Sequence, residues 1–175
     1  IGLRYKINNS NSIKVSYSNT RQYQQLISCN KSAMPSDYWK MADNHIKPMI
    51  CNQMSAGYFA TFLNDLINFS AEIYYKTIDN QLDYKNGAEL TMNKAVEQDL
   101  LAGEARSYGI ELIVRKNSGK MTGWISYTLS KTEMQVDGVF EEERINNGQR
   151  YYANTHHLHD LSVTSSYQIT RRWFA

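Results

Sequence analysis

The feature that most constrains this chain is a pair of alternating segments between Tyr108 and Ser130. In each segment apolar side chains recur at every second residue, which is the period of a β-strand with unlike faces. The two segments are separated by Lys-Asn-Ser-Gly at residues 116–119, a short polar sequence in which Asn and Gly tolerate positive φ. The sequence therefore predicts a β-hairpin with one apolar face and one polar face.

The same alternation recurs along the rest of the chain and predicts an all-β protein with about seven strands. Short polar turns near Asn9, Asn64 and Ser118 separate some strands, and long connections at about 25–48, 79–106 and 131–159 separate the others. One or two helical turns are expected at 93–102. In an antiparallel up-and-down meander, all short turns then lie at one end and all long loops at the other. That asymmetry is typical of transmembrane β-barrels of the outer membrane.

The two faces of the predicted strands differ sharply in charge. The predicted lipid-facing residues belong to the apolar face and are Ile73, Tyr75, Ile110, Leu112, Ile125, Tyr127 and Leu129. The predicted lumen-facing residues belong to the opposite face and are Glu72, Lys76, Glu111 and Arg115. A cationic side chain against lipid costs about 2–4 kcal/mol at the membrane midplane, so a barrel is expected to keep charges on its lumen face. A soluble sheet also alternates, but these segments last about 9–12 residues, which fits a membrane strand better than the roughly 5–6 residues usual in soluble sheets.

Composition excludes several other classes of protein. The net charge is +2 with interspersed signs, so no nucleic-acid partner is expected. The mean hydropathy of −0.57 and the lack of a long apolar run exclude a transmembrane helix but leave a β-barrel open. No metal site is predicted at His156, His157 and His159, since no carboxylate or cysteine cluster surrounds them. No nucleophile-elbow or phosphate-binding motif occurs, so neither an enzyme nor a bound cofactor is predicted.

The two cysteines, Cys29 and Cys51, stand near the two ends of one long connection. The strands that flank this connection are predicted neighbours, and hairpin partners can bring Cβ atoms within the roughly 3.5–4.5 Å that a disulfide needs. The alternative is a pair of unpaired thiols, because the register decides between the two states.

Several segments of the chain resemble the barrels of TonB-dependent outer-membrane receptors and follow one another in the same order. These segments include Pro35-Ser36-Asp37-Tyr38-Trp39, Ile46-Lys47-Pro48, Gly57-Tyr58-Phe59, Glu72-Ile73-Tyr74-Tyr75-Lys76, Asn80-Gln81-Leu82-Asp83-Tyr84, Gly103-Glu104-Ala105-Arg106-Ser107-Tyr108-Gly109, Gly123-Trp124-Ile125-Ser126-Tyr127 and His159-Asp160-Leu161-Ser162. One segment departs from the family. At residues 152–157, where the family commonly has a Pro and then an Asn-Tyr-Asp-like sequence, this chain has Tyr-Ala-Asn-Thr-His-His.

The resemblance implies that residues 1–175 are part of a larger barrel of about 22 strands, with the plug domain and TonB box outside this chain. It also implies an outer-membrane receptor of a Gram-negative bacterium. Such a receptor imports a scarce small molecule or oligosaccharide, of the ferric siderophore, cobalamin or oligosaccharide class, with energy from the TonB complex. The expected partners are outer-membrane lipid, that ligand and TonB. Two alternatives stay open: a small outer-membrane barrel with an adhesive or structural role, and a soluble β-sandwich that serves as a binding module.

Overall fold

The structure, a computed structural model, describes residues 1–27, 38–85, 96–154, 156–170 and 173. Its strands are β1 (Gly2–Lys6), β2 (Asn11–Gln22), β3 (Gln24–Ile27), β4 (Tyr38–Met41), β5 (Met49–Phe62), β6 (Ile67–Tyr84), β7 (Leu100–Lys116), β8 (Met121–Gln135), β9 (Tyr151–Tyr152) and β10 (His159–Tyr167). Short 3-10 helices are found at Val96–Asp99, Glu141–Glu143 and Asn146–Gly148. No helix in the described ranges is long and apolar enough to cross a membrane.

The predicted antiparallel meander is confirmed. The main sheet has the order β1-β2-β5-β6-β7-β8-β10, with β9 paired to the end of β8. Strands β3 and β4 form a separate hairpin between β2 and β5. The main sheet is therefore one continuous surface in chain order, unlike the two packed sheets of a β-sandwich.

The strands extend well beyond the predicted segments, so the boundaries of two predicted connections are wrong, and the third predicted connection, at about 25–48, contains strands β3 and β4. Strand β6 has 18 residues and β7 has 17, and they remain paired where a connection was predicted at 79–106. Strand β8 likewise continues to Gln135, inside the loop predicted at 131–159. Backbone pairing persists there although the apolar alternation has ended. Within the predicted helical stretch at 93–102, residues 96–99 form a 3-10 helix and 100–102 belong to β7; residues 93–95 lie outside the described part.

A β-bulge at Asn80 connects the main sheet to the β3–β4 hairpin. The register of β6 against β7 shifts between Asp79 and Gln81, and Asn80 has a φ of 60°, a left-handed conformation that Asn tolerates. The Asn80 side chain donates to the Pro48 carbonyl at 2.9 Å, and Gln25 Nε2 donates to the Asn80 carbonyl at 3.4 Å. The hairpin is thus held against the long-loop end of the sheet.

The register aligns apolar side chains into rows that cross the whole sheet. One such row contains Tyr5, Ile13, Tyr58, Ala71, Leu112, Tyr127 and Leu161. Many side chains on this face are exposed; Ile73 retains 57% of its accessible surface and Ile125 retains 51%. An exposed apolar face of this extent marks a surface that another apolar phase or partner covers.

Candidate functional site

The polar face of the main sheet carries charged side chains in a single row. From β1 to β10 this row contains Arg4, Lys14, Gly57, Glu72, Glu111, Thr128 and Asp160. Its cations belong to β1 and β2, whereas its carboxylates belong to β6, β7 and β10. The row is therefore positive on one side of Gly57 and negative on the other.

Two carboxylates face each other across neighbouring strands in this row. Glu72 and Glu111 are Cα partners in the β6–β7 ladder. Like charges in directly opposite positions destabilise a sheet. Within the described ranges neither carboxylate has a hydrogen-bonding or ionic partner. The pair therefore lacks a counter-charge in this part of the chain, which makes it the strongest candidate docking site on the polar face.

Gly57 provides the space in which Glu72 and an aromatic ring lie side by side. A Cβ atom at position 57 would be 3.0 Å from Cε2 of Phe59 and 3.1 Å from Oε2 of Glu72. Both distances are shorter than an ordinary van der Waals contact, so any larger residue would displace one of the two neighbours. Glycine at this position therefore leaves room for the Phe59 ring and the Glu72 carboxylate to lie close together.

The other two predicted lumen-facing charges lie away from this pair. Lys76 and Arg115 are each four residues from the carboxylate on their own strand, about 13 Å along it. Lys76 is opposite Gln53 and Ser107, and Arg115 is opposite Asn68 and Trp124. No ion pair joins any two of Glu72, Lys76, Glu111 and Arg115 in the part of the chain that the structure describes.

The β3–β4 hairpin and the polar face enclose a cavity of about 540 Å³ at the long-loop end. Its walls include Lys76 and Ile78 of β6, Cys51 of β5, and Tyr23 and Met41 beside or within the hairpin. The lining combines two cationic groups, those of Arg21 and Lys76, with aromatic and sulfur-containing side chains. Such a mixture suits a ligand that has both polar and apolar surface.

Two sets of hydrogen bonds lie at this end of the molecule, one in the connection before β5 and one between β6 and β9. The backbone N–H groups of Ile46 and His45 donate to Asp43 Oδ1 at 2.9 and 2.8 Å. These bonds, with a smaller contribution from Lys40, lower the pKa of Asp43 to about 2. The Tyr151 hydroxyl of β9 donates to the Asp83 carboxylate of β6, and burial together with this bond raises the pKa of Tyr151.

A second charged cluster lies on the apolar face, at its long-loop end. Glu133 Oε2 accepts hydrogen bonds from Arg106 Nε and Nη2 at 2.8 and 2.7 Å, and Lys131 Nζ lies 2.8 Å from Glu133 Oε1. Arg106 and Glu133 are Cα partners across β7 and β8. The sequence analysis missed this cluster because it assigned these residues to loops or loop borders. Their residue parity, which continues that of Tyr108 and Leu129, is the signal that could have placed them on this face.

A single family model covers nearly the whole chain. The model described as "TonB dependent receptor-like, beta-barrel" matches residues 1–174. The chain belongs to this family.

Two solved outer-membrane receptors share the fold of this receptor-barrel chain. The alcaligin receptor FauA of Bordetella pertussis superimposes with a TM-score of 0.56 at 19% sequence identity, over 98% of this chain and 26% of that one. The ferripyoverdine receptor of Pseudomonas aeruginosa, bound to ferripyoverdine, gives a TM-score of 0.61 at 15% identity, over 98% of this chain and 20% of that one. The chain thus spans about a quarter or a fifth of the length of these receptors. No curated protein sequence matches it.

In this receptor-barrel chain, the register places all the predicted lipid-facing residues on one face of the sheet. Ile73, Tyr75, Ile110, Ile125 and Leu129 are exposed. Leu112 and Tyr127 are half-buried, and the Tyr127 hydroxyl forms a 2.8 Å hydrogen bond with His159 Nδ1.

The remaining sequence predictions concern cysteine and histidine. Cys51 is half-buried at the cavity beneath the β3–β4 hairpin, whereas Cys29 lies outside the described residues, so the disulfide stays a prediction. His156 Nδ1 accepts a hydrogen bond from the Thr132 N–H at 3.2 Å. No group of three or more potential metal ligands is found across the described residues.

Proposed function

We propose that residues 1–175 form part of the barrel wall of an outer-membrane receptor that imports a ligand of the ferric siderophore class with energy from TonB. The observation that carries this proposal is the family match over residues 1–174. The ligand class is supported by the two solved relatives, which are receptors for alcaligin and for ferripyoverdine. The proposed role is transport rather than catalysis.

In this proposal the apolar face contacts lipid and the polar face lines the lumen. On β6 the apolar band extends from Ile67 to Tyr75, which matches the roughly 9–11 residues that a tilted membrane strand needs. At the long-loop end the band terminates in a row that contains Tyr17, Tyr75 and Tyr108. Tyrosine is enriched at membrane interfaces because its ring is apolar and its hydroxyl is polar.

We further propose that the Glu72–Glu111 pair holds a cationic side chain of the plug domain. In the receptor family the plug occupies the barrel lumen, which is the space that the polar face would line. A cation between the two carboxylates would convert an unfavourable like-charge pair into a favourable three-charge site. The Phe59 ring, which the absence of a Cβ at Gly57 lets lie close to Glu72, would form one wall of this site.

The long connections, on the same proposal, face the outside of the cell and receive the ligand. Long loops outside and short turns inside are the usual arrangement of outer-membrane barrels. The cavity beneath the β3–β4 hairpin lies at this end and opens on the polar face. It would then form part of the wall around the imported ligand.

An uptake measurement tests the proposed function. We expect cells that express the whole receptor to accumulate radiolabelled iron supplied as a ferric siderophore, and to lose this accumulation when TonB is deleted. Cells without the receptor gene serve as the control. Accumulation that persists without TonB would contradict the proposed energy coupling. Uptake of cobalamin or an oligosaccharide, with no ferric siderophore taken up, would contradict the ligand class.

A further inference from the structure

The Arg106–Glu133–Lys131 cluster lies on the apolar face at the long-loop edge of the apolar band. The last row of the apolar band contains Tyr17, Met54, Tyr75, Tyr108 and Lys131. Arg106 and Glu133 are two residues beyond this row, about 7 Å along their strands. On the proposed function, on which this inference rests, that is the level of the lipid headgroups in the leaflet around the long loops.

The cluster presents its cations and buries its anion. The Glu133 side chain is only 11% exposed, whereas the side chains of Arg106 and Lys131 are 36% and 34% exposed. Arg106 uses two of its five N–H donors on Glu133, and Lys131 uses one of its three. Donors therefore remain for an external acceptor, and the three charges sum to +1. A headgroup phosphate is the acceptor that matches this charge and donor set.

One side of the cluster is held in place by the chain that returns from the third long connection. Lys131 Nζ lies 5.5 Å from the centre of the Tyr152 ring, a cation–π distance. The Tyr152 ring stacks on His156 with centroids 4.5 Å apart and planes 10° apart. His156 is tied to β8 through the Thr132 N–H. A site whose side chains are already fixed loses less conformational freedom when a ligand binds.

An apolar groove of about 260 Å³ adjoins the cluster on the same face. Val15, Met54, Ala56, Ile73 and Tyr75 contribute to its lining, and the small side chain of Ala56 is opposite the larger Val15 and Ile73. Tyr75 also stacks against Tyr108 with ring centroids 6.2 Å apart. Because Tyr108 is the Cα partner of Lys131, the groove and the cluster lie on either side of one tyrosine pair.

We propose that this surface binds a phosphate-bearing lipid, with the phosphate on Arg106 and Lys131 and an acyl chain in the groove beside Tyr75. The charged cluster and the apolar groove are separate observations: the cluster suits the phosphate end of such a lipid, and the groove suits its acyl chain. A lipid with an exposed phosphate is an occupant that satisfies both. The bound lipid would anchor the wall at β5–β8 in its leaflet.

Native mass spectrometry of the whole folded receptor in detergent micelles tests the proposal. The probes are dipalmitoyl phosphatidate, dipalmitoyl phosphatidylcholine and glycerol phosphate, which separate the phosphate monoester, the acyl chains and the free headgroup. We expect the wild-type receptor to bind phosphatidate in clear preference to the other two probes. Equal binding of the two lipids would overturn the role of the cations. Binding of glycerol phosphate as tight as that of phosphatidate would overturn the role of the groove.

Three variants test whether the lipid binds at the cluster and the groove, and one of them, on the polar face, is a control for nonspecific effects. Lys131→Gln leaves the Arg106–Glu133 pair intact and is expected to weaken phosphatidate binding about tenfold, the loss of one charged hydrogen bond. Ala56→Phe, which fills the groove, is expected to weaken both lipids. Lys14→Gln removes a cation from the polar face and is expected to change neither.

An unchanged phosphatidate preference in Lys131→Gln, with an unfolding temperature close to that of the wild type, would assign the cluster a purely structural role and overturn the proposal. If Lys131→Gln does not fold, Glu133→Gln decides instead, because it frees both cations and is expected to tighten phosphatidate binding. A weaker phosphatidate preference in Glu133→Gln would then overturn the proposal. The binding readout does not depend on transport, so a failure of the uptake measurement and a failure of lipid binding are distinguishable.

Discussion

Ile125→Arg is expected to destabilise the folded barrel by about 2–4 kcal/mol, the cost of a cationic side chain against lipid near the membrane midplane. Ile125 is 51% exposed and lies in an apolar row between Val114 of β7 and Val163 of β10. The band on β6 extends from Ile67 to Tyr75, and its middle row contains Leu112 and Tyr127. The row of Ile125 is next to that middle row, so an arginine at 125 would reach the lipid headgroups only by extending along the strand. Losses of this size are a large fraction of the stability of most folded proteins.

Ser126→Arg is the matched control, because Ser126 is the next residue of β8 and belongs to the polar face. Its Cα partners are Ile113 and Ser162, and on the proposed function an arginine there would project toward the lumen. Chemical unfolding of both variants in lipid vesicles measures the difference. Similar losses in the two variants would show that the odd-numbered face of β8 does not contact lipid.

Glu72→Gln combined with Glu111→Gln is expected to have opposite effects in two forms of the receptor. In a barrel refolded without the plug, the change removes a like-charge repulsion and should stabilise the barrel by up to about 1 kcal/mol. In the whole receptor, the same change leaves the proposed plug cation without its partners. Loss of the partners of a buried charge costs about 3–5 kcal/mol. The sign of the effect should therefore depend on the presence of the plug.

Asp160→Asn is the matched control for this pair. Asp160 lies in the same row of the polar face, but it is opposite Thr128 rather than another carboxylate. We expect its effect on the unfolding free energy to be small and equal in the two forms of the receptor. Destabilisation of both forms by the Glu72 and Glu111 changes would show that the two carboxylates stabilise the wall itself, and no plug cation would then be needed.

The meander and the identity of its two faces could be predicted because the pleat of a strand fixes them. Leu112 and Tyr127 share a face with their neighbours at every second residue, whatever surrounds the sheet. The ends of the strands could not be predicted in the same way. Beyond Tyr75 and Tyr108 the rows contain polar residues such as Thr77 and Arg106, so the apolar period ends while the backbone hydrogen bonds continue.

For the candidate site, the sequence predicts the face on which each carboxylate lies but not which residues are opposite each other. The polar-face positions of Glu72 and Glu111 follow from residue parity, but their direct opposition depends on the register between β6 and β7. That register includes the shift at Asn80, which the apolar alternation does not predict. The Arg106–Glu133–Lys131 cluster was missed for a different reason, because the predicted strands ended before Lys131 and began after Arg106.

A nitroxide scan along β8 tests most directly whether this chain is a lipid-facing barrel wall. Single cysteines are introduced from 124 to 129 in a whole receptor whose Cys29 and Cys51 have been replaced by serine, and the labelled protein is placed in lipid vesicles. We expect collisions with oxygen, which concentrates in lipid, to peak at 125, 127 and 129. Collisions with a water-soluble nickel chelate, where the plug leaves access, should peak at 124, 126 and 128. High nickel accessibility at 125, 127 and 129, or the loss of alternation, would contradict a wall with one face in lipid and the other toward the lumen.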